Sequence, residues 1–406
     1  MTLSPKRARF ALLALALGGF SIGSTEFVAM GLLPDIARDL LPELSASNPE
    51  ASIGRAGWLI TAYAVGVVVG APTIAAAAAR FPRKAVLVGL GIAFTVGTVA
   101  SALAPTFALV VAARFVAGLP HGAYFGVAAL VAAQILGPKK RGQAVAYVLV
   151  GLTIASVIGV PLITYLGQHA GWRVAYLVVA GLFALTTAAL LAFIPAHAGN
   201  PAATIRRELK AFTRPAVWAA LLTASLGFGG FFAVYSYVSP LATEVTGTSA
   251  AFVPIVLMVL GLGTTVGILG GGRLADHLGA VRAIFILFGA LAVSLVVLGL
   301  TAHSVAGLLV GVFLVGASAQ GLAPAIQTRL MDVAGDSQTL AAAINHSALN
   351  IGNSLGALLG GMAIAAGFGY LSPTWLGLIL VVPGVLFALV GWSFTRRAET
   401  RLAEVA

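Results

Sequence analysis

The chain has no cysteine, and only 12 of its 406 residues are aspartate or glutamate. The first absence excludes a disulfide framework and thiolate metal sites. Charge of either sign is scarce too, at 9% of residues against about 25% in soluble domains, while 60% are hydrophobic. The composition is that of an integral membrane protein. No G-x4-G-K-[ST] element occurs, and the GPKKRG segment lacks the glycine cradle that phosphates need, so nucleotide-driven work is excluded. Paired carboxylates, a His-Glu-x2-His pattern and a nucleophile with its base are missing from the apolar runs, as is a repeated filter-like loop. A membrane-embedded enzyme and a channel are disfavoured, and no cofactor or metal is expected. The net charge of +11 sits in short clusters between apolar runs, which offers no basic groove for nucleic acid.

What is present is a succession of apolar runs, each near the ~20 residues that a bilayer core demands of a helix. Twelve are expected, at 10–33, 57–79, 85–103, 107–136, 142–166, 174–194, 215–241, 251–272, 283–302, 305–328, 339–366 and 374–395. The start of the chain, with Lys6, Arg7 and Arg9 before an apolar segment, imitates a signal peptide. The run continues to Leu33 without a clear cleavage site and reads as an uncleaved first span. Of the 23 lysines and arginines, all but Arg38, Arg55, Arg173 and the intramembrane Arg114 fall on the side of the N-terminus. That asymmetry places both termini in the cytoplasm of a plasma-membrane (inner-membrane) protein.

The basic stretch 195–214 divides two six-helix halves, 1–194 and 215–406, which the chain repeats weakly. RFPRK after the second span answers to RLADHLGAVR after the eighth, Pro120-His121-Gly122 to Ala319-Gln320-Gly321, and Ser156 to Gly159 answers to Asn353 to Gly356, with offsets of 196 to 199 residues.

Glu26 is the one carboxylate inside an expected span. A charge at that depth costs ~2.5–3.5 kcal/mol on insertion scales, so it needs a partner, a proton or a wet cavity. Glu26 lies eight residues before Pro34 and Arg114 eight after Thr106, on helices running oppositely. Both are then ~12 Å below the same surface. Tyr63 falls at a similar level and is a candidate for the substrate cavity, and His121 is two turns beyond Arg114 on the same face. A functional pair would respond to protonation of Glu26, whereas a structural pair would only fix helix packing. His121 has the chemistry of a proton relay or of a satisfied packing residue.

Further polar groups on the fourth and tenth spans, Tyr124 and Gln320 among them, suit either a cavity or interhelical hydrogen bonds. Asn350 belongs to a stripe with His346 and Asn353 on the eleventh span, and Phe228, Phe231 and Phe232 crowd the seventh. Aromatic walls fit an apolar or amphiphilic substrate. Small-xxx-small spacing at Gly118, Gly122 and Gly126, at Gly263, Gly267 and Gly271, and at Gly352, Gly356 and Gly360 predicts close helix seams. Gly159 and Pro161 mark a deformable point in the fifth span.

Glu26-Phe27 with Gly31-Leu-Leu-Pro34, Arg114-x3-Gly118-x2-His121-Gly122, and Gly159-Val-Pro161 through Gly171-Trp172-Arg173 resemble the major facilitator superfamily. Within it the closest pattern is the twelve-helix drug:proton antiporter family, in its arabinose-efflux and chloramphenicol-resistance branch. The resemblance implies alternating access between two six-helix bundles in a monomer that exchanges a small molecule for protons. It also implies that Arg114 and an acid on the first helix couple to protons. The family's loop motif after the second span is degenerate here: Ala79 replaces its aspartate, leaving Arg80, Arg83 and Lys84, residues that topology alone also explains. The counterpart after the eighth span keeps Gly272, Asp276 and Gly279, so a carboxylate latch is expected at Asp276. Together these features lead to export of a small amphiphilic compound, such as a drug, antibiotic or sugar. Uptake by proton symport would use the same residues.

Overall fold

Backbone groups in lipid must find their hydrogen bonds within one segment, which makes helix the default for long apolar runs. A computed structural model of the chain describes residues 4–78, 81–137, 141–195, 214–334 and 338–405; among them there is helix, turn and no strand. Among the described residues twelve helices are long and apolar enough to cross a membrane. They are α1 (Pro5–Gly31), α2 (Pro49–Ile74), α3 (Arg83–Leu103), α4 (Phe107–Leu136), α5 (Ala146–Ala170), α6 (Trp172–Phe193), α7 (Pro215–Ser236), α8 (Ala250–Leu278), α9 (Ala280–Thr301), α10 (Val305–Val333), α11 (Asn345–Phe368) and α12 (Ser372–Phe394).

Local chemistry sets the ends. The Ser4 hydroxyl accepts from Arg7 N–H ahead of Pro5, and Thr106 does the same for Leu109 N–H at the start of α4. The α5–α6 and α8–α9 connections turn on Gly171 (φ 93°) and Gly279 (φ 81°), left-handed positions where a side chain would be strained. Between α1 and α2 the chain forms short helices at Leu33–Leu40 and Pro42–Ser47, and a third short segment, Pro49–Ala56, is the first part of α2. Each has proline in its first turn. The helix ladder loosens near Pro120, which splits α4 into Phe107–Gly118 and His121–Leu136. It loosens again in the π-helical turn Ala155–Gly159 just before Pro161.

The chain forms two compact units, 1–203 with 249–258, and 204–248 with 259–406. In the first, α1 packs on α5 and α6, and α2 packs on α4, around a core that includes Leu15, Phe94, Tyr124, Val131, Tyr176 and Phe183. In the second, α7 is gripped by α11 and α12, and α9 packs on α10. Large apolar residues such as Leu13, Val96, Val293 and Leu300 face outward. A shell of that kind matches lipid rather than water.

Glycine seams hold each unit. A Cβ on Gly66 or Gly70 of α2 would lie 2.1 or 1.9 Å from the carbonyl oxygens of Phe115 and Leu119 in α4, and one on Gly118 would lie 2.2 Å from that of Tyr63. In the second unit Gly263, Gly267 and Gly271 of α8 meet the carbonyls of Phe313, Ala317 and Gly321 in α10 at 2.2 to 2.3 Å by the same measure. The expected α4 seam is corrected at one end. Gly126 shares the spacing of Gly118 and Gly122, but nothing lies within 4 Å of a Cβ placed there. Crossing helices part company after a few turns, and α4 is also broken near Pro120, so spacing alone overstates the length of a seam.

Candidate functional site

The α2–α4 seam brings the polar groups of the first unit together. Because the two backbones touch at Gly118, a side chain at Tyr63 can lie along α4 and reach positions on either side of that glycine. Its ring sits under the Arg114 guanidinium, 4.2 Å from carbon to centroid, and its hydroxyl is 3.1 Å from His121 Nδ1. Tyr176 of α6 supplies a second aromatic face to the guanidinium at 5.5 Å. Arg114 is 0% exposed, Tyr63 1%, His121 2% and Glu26 5%. Glu26 lies within electrostatic reach of Tyr63.

Arg114 Nη1 donates to Thr25 Oγ1 at 3.2 Å, one residue before Glu26 on α1. Its Nε and Nη2 make no hydrogen bond among the described residues. The cation therefore rests on two π faces and one hydroxyl. Cation–π contact is worth ~0.5–2 kcal/mol when desolvated, well short of what a carboxylate fork supplies to a buried guanidinium. The edge formed by Nε and Nη2 is one that can take a carboxylate bidentately. The arrangement can thus accept one further anionic or acceptor group without displacing what already holds the arginine.

Thr25 and Tyr176 were missed in the sequence. Tyr176 was open to the depth arithmetic that picked out Tyr63, because it lies in the first turns of an even-numbered span running parallel to α2 and α4. Thr25 had only its place next to Glu26 to recommend it. A second missed cluster lies at the α1–α2 connection, where Asp39 accepts from Trp172 Nε1 at 3.0 Å and from Arg173 Nη1. Arg173, hydrogen-bonded to Asp39, holds that carboxyl below the usual range.

The other expected site residues are placed as follows. Tyr124 belongs to the core of the first unit, against Phe94 and Phe125, and its hydroxyl donates to the Leu15 carbonyl at 3.2 Å. Phe228, Phe231 and Phe232 are buried on α7, with Phe231 and Phe232 at 5.0 Å and Phe231 and Tyr235 at 5.4 Å between ring centroids. Gln320 is half-buried on α10. Asn350 is buried on α11, where its Nδ2 donates to the His346 carbonyl and its Oδ1 has no hydrogen bond among the described residues.

Of the expected conformational residues, Arg80 lies outside the described residues. Arg83 opens α3, and Lys84 Nζ donates to the Leu191 carbonyl at 2.6 Å, closing the last turn of α6. Gly159 lets α5 approach α1, since a Cβ there would lie 2.8 Å from the Phe20 ring, and Pro161 follows in the next helical turn. Gly272 is half-buried, and Asp276 is exposed and makes no ion pair among the described residues. Gly279 has a local reason for being glycine in its positive φ.

A twelve-helix membrane protein with duplicated glycine seams and a buried cation in one half has the build of a solute carrier. The Major Facilitator Superfamily model matches residues 15–334 and 247–405, and the chain belongs to that superfamily of transporters. It is similar to the "Inner membrane transport protein YdhP" of Escherichia coli, 37% identical over 97% of this chain and 98% of that one. It also resembles a "Chloramphenicol resistance protein" of Streptomyces lividans, 32% identical over 92% and 94% of the two chains. The crystal structure of a D-xylose-proton symporter shares the fold, with a TM-score of 0.76 at 18% identity over 95% of this chain and 97% of that one.

Proposed function

We propose that the chain is a proton-coupled secondary transporter that exports a small amphiphilic molecule by alternating access. The observation that carries this reading is the burial of Glu26, Arg114 and His121 around Tyr63, with the Nε–Nη2 edge of Arg114 making no hydrogen bond among the described residues. A guanidinium held this way has a much better partner available in a deprotonated carboxylate than in Thr25. Proton loss from Glu26 then favours a conformation that brings the two charges together, and proton uptake favours the one that parts them. The π turn before Pro161 supplies a place for α5 to bend between the two. The aromatic cluster at Phe228, Phe231 and Phe232, with Gln320 and Asn350, serves as the substrate wall, by its apolar area and its unused acceptor. Export is favoured over uptake by the likeness to a protein named for chloramphenicol resistance. The reading includes a monomer in the plasma membrane, both termini in the cytoplasm, two bundles joined by 195–214, and Asp276 with Gly272 as part of the gating apparatus.

The test begins with susceptibility of an efflux-deficient host expressing the chain to chloramphenicol and other amphiphilic antibiotics. The compound to which resistance is gained is then loaded into proteoliposomes under an imposed pH gradient. Export by exchange predicts substrate movement against its gradient, driven by protons moving the other way. Glu26→Gln should keep substrate-for-substrate exchange and abolish the pH-driven component. Unchanged pH-driven efflux in that variant refutes the coupling role, and accumulation in the same direction as the protons makes the protein a symporter.

A further inference from the structure

The Tyr63 side chain touches both Arg114 and His121, and it lies within the field of Glu26. Its position is built rather than incidental. Gly118 lies four residues after Arg114 and three before His121, and a Cβ on it would lie 2.2 Å from the Tyr63 carbonyl oxygen. That contact pins Tyr63 midway between the two α4 side chains. His121 also opens the second half of α4 after Pro120, and its ring packs on Phe125 at 5.3 Å. The charged and titratable groups facing Tyr63 are Glu26 from α1, Arg114 and His121 from α4, and Tyr176 from α6.

A phenol beside an imidazole has two ways to share a proton. With Nδ1 unprotonated, the Tyr63 hydroxyl donates to it; with His121 doubly protonated, Nδ1–H donates and the phenolic oxygen accepts. In the first arrangement the ring is electron-rich and holds Arg114 more firmly. In the second the ring is electron-poorer, its hold on the guanidinium weakens, and the phenolic hydrogen turns away from His121. We propose that Tyr63 is a positioning residue for proton coupling, whose hydroxyl reverses its hydrogen bond with the charge on His121 and so relays that charge to Arg114 and Glu26. The step balances: one proton is taken up at His121 Nδ1, where an N–H bond forms, while the phenol keeps its own O–H and only the direction of the hydrogen bond between them reverses. The inference rests on the proton-coupled reading above and goes beyond it, since that reading assigns the Tyr63 hydroxyl no part in the coupling.

The test is a coupling cycle that needs no substrate. The full chain in lipid nanodiscs, labelled with 15N histidine, is titrated from about pH 5 to pH 9, and the His121 ring nitrogens are identified as the signals lost in His121→Gln. The carboxyl band of Glu26, identified as the infrared band lost in Glu26→Gln, is followed over the same range. In the wild type, Glu26→Gln should move the His121 midpoint by about half to one pH unit, the size of a lost neutral hydrogen bond. With Tyr63→Phe in place, which keeps the ring under Arg114, the same replacement should move it by less than half as much. Incorporating 3,5-difluorotyrosine at position 63 keeps the packing and acidifies the hydroxyl, so it should move the His121 midpoint in an otherwise wild-type chain even if the phenylalanine variant fails to fold. An equal response to Glu26→Gln with and without the hydroxyl, or a His121 midpoint unmoved by the fluorinated ring, overturns the relay. If Glu26 titrates while His121 ignores it, the relay fails and proton coupling stands. If the Glu26 band does not titrate at all, both fail.

Discussion

Gly118→Ala is the replacement that tests the packing and the site together. The added Cβ would meet the Tyr63 carbonyl oxygen at 2.2 Å, the Tyr63 carbonyl carbon at 3.1 Å and the Val67 nitrogen at 3.1 Å, all backbone atoms that no rotamer change can move. Ordinary contact begins near 3.4 Å, so α2 and α4 must separate by about 1.2 Å at this point. Overpacking of a close seam costs ~1–3 kcal/mol, against which alanine regains ~0.5–1 kcal/mol over glycine inside a helix. The net loss, up to ~2.5 kcal/mol, should appear as a fall of up to ~3 °C in the apparent melting temperature of the purified 406-residue protein. The same separation would take the 3.1 Å contact between the Tyr63 hydroxyl and His121 Nδ1 out of hydrogen-bond range, so transport should fall more than stability does. Gly126→Ala is the internal control: it lies on the same span at the same spacing, with nothing within 4 Å of the added carbon, and should be neutral or slightly stabilising. Thermal unfolding followed by tryptophan fluorescence, with transport measured alongside, decides it. Equal stability and equal transport in the two alanine variants would refute the close approach of α2 and α4 and the site built on it.

Other replacements separate chemistry from scaffolding. Arg114→Lys keeps the charge but loses the flat face that lies on Tyr63 and Tyr176, and should lower proton-driven transport at least about tenfold in proteoliposomes, the equivalent of ~1.4 kcal/mol. Asp39→Asn should destabilise modestly, by less than ~1 kcal/mol for a half-exposed pair with Arg173. Because the Asp39 carboxyl is held below its usual value, the stability that the pair contributes is full above about pH 5 and is lost as the pH falls below about 4. Wild type and Asp39→Asn should therefore converge in melting temperature toward acid pH; a gap that widens there would count against the pair. Gly279→Ala forces a side chain into a left-handed position and should cost ~1–2 kcal/mol in thermal unfolding, whereas Asp276→Asn, exposed and without an ion pair among the described residues, should stay within about 0.5 kcal/mol.

The number of spans was legible because lipid enforces one rule along the whole chain, and the level of Glu26 and Arg114 followed from counting residues along helices of fixed rise. What surrounds Arg114 was not legible in the same way. Depth says which residues share a layer, while contact with Tyr63, Tyr176 and Thr25 depends on how each helix is rotated about its axis, which single-sequence spacing does not contain. Tyr124 shows the difference, since it is one turn past His121 yet turns into the core against Phe94. The short helices of the α1–α2 connection carried their own signals, with proline opening each and glutamate beside it at Glu43 and Glu50. The link from Asp39 to Arg173 spans 134 residues and had no local signal at all.

The duplication supplies an argument about why Arg114 is buried. A Cβ on Gly118 would approach the Tyr63 carbonyl oxygen at 2.2 Å and the Val67 nitrogen at 3.1 Å, and one on Gly316 would approach the Leu260 carbonyl oxygen at 2.8 Å and the Thr264 nitrogen at 3.2 Å. Those matched contacts fix the register between the halves, with α2 aligned to α8 and α4 to α10. This structural register shifts the α4–α10 pairing by one residue from the motif alignment of Pro120-His121-Gly122 with Ala319-Gln320-Gly321: Tyr63 corresponds to Leu260, Arg114 to Val312 and His121 to Ala319, and these three counterparts in the second unit are fully buried and apolar. The same seam therefore packs with valine where the first unit keeps a guanidinium. Burying an ion pair commonly gains nothing over apolar residues of similar volume. If Arg114 served only to fix helix packing, the second unit shows that an aliphatic residue would do as well, at no desolvation cost. The asymmetry favours a role for the charged layer that the fold itself does not need, and it locates that role in the first six helices.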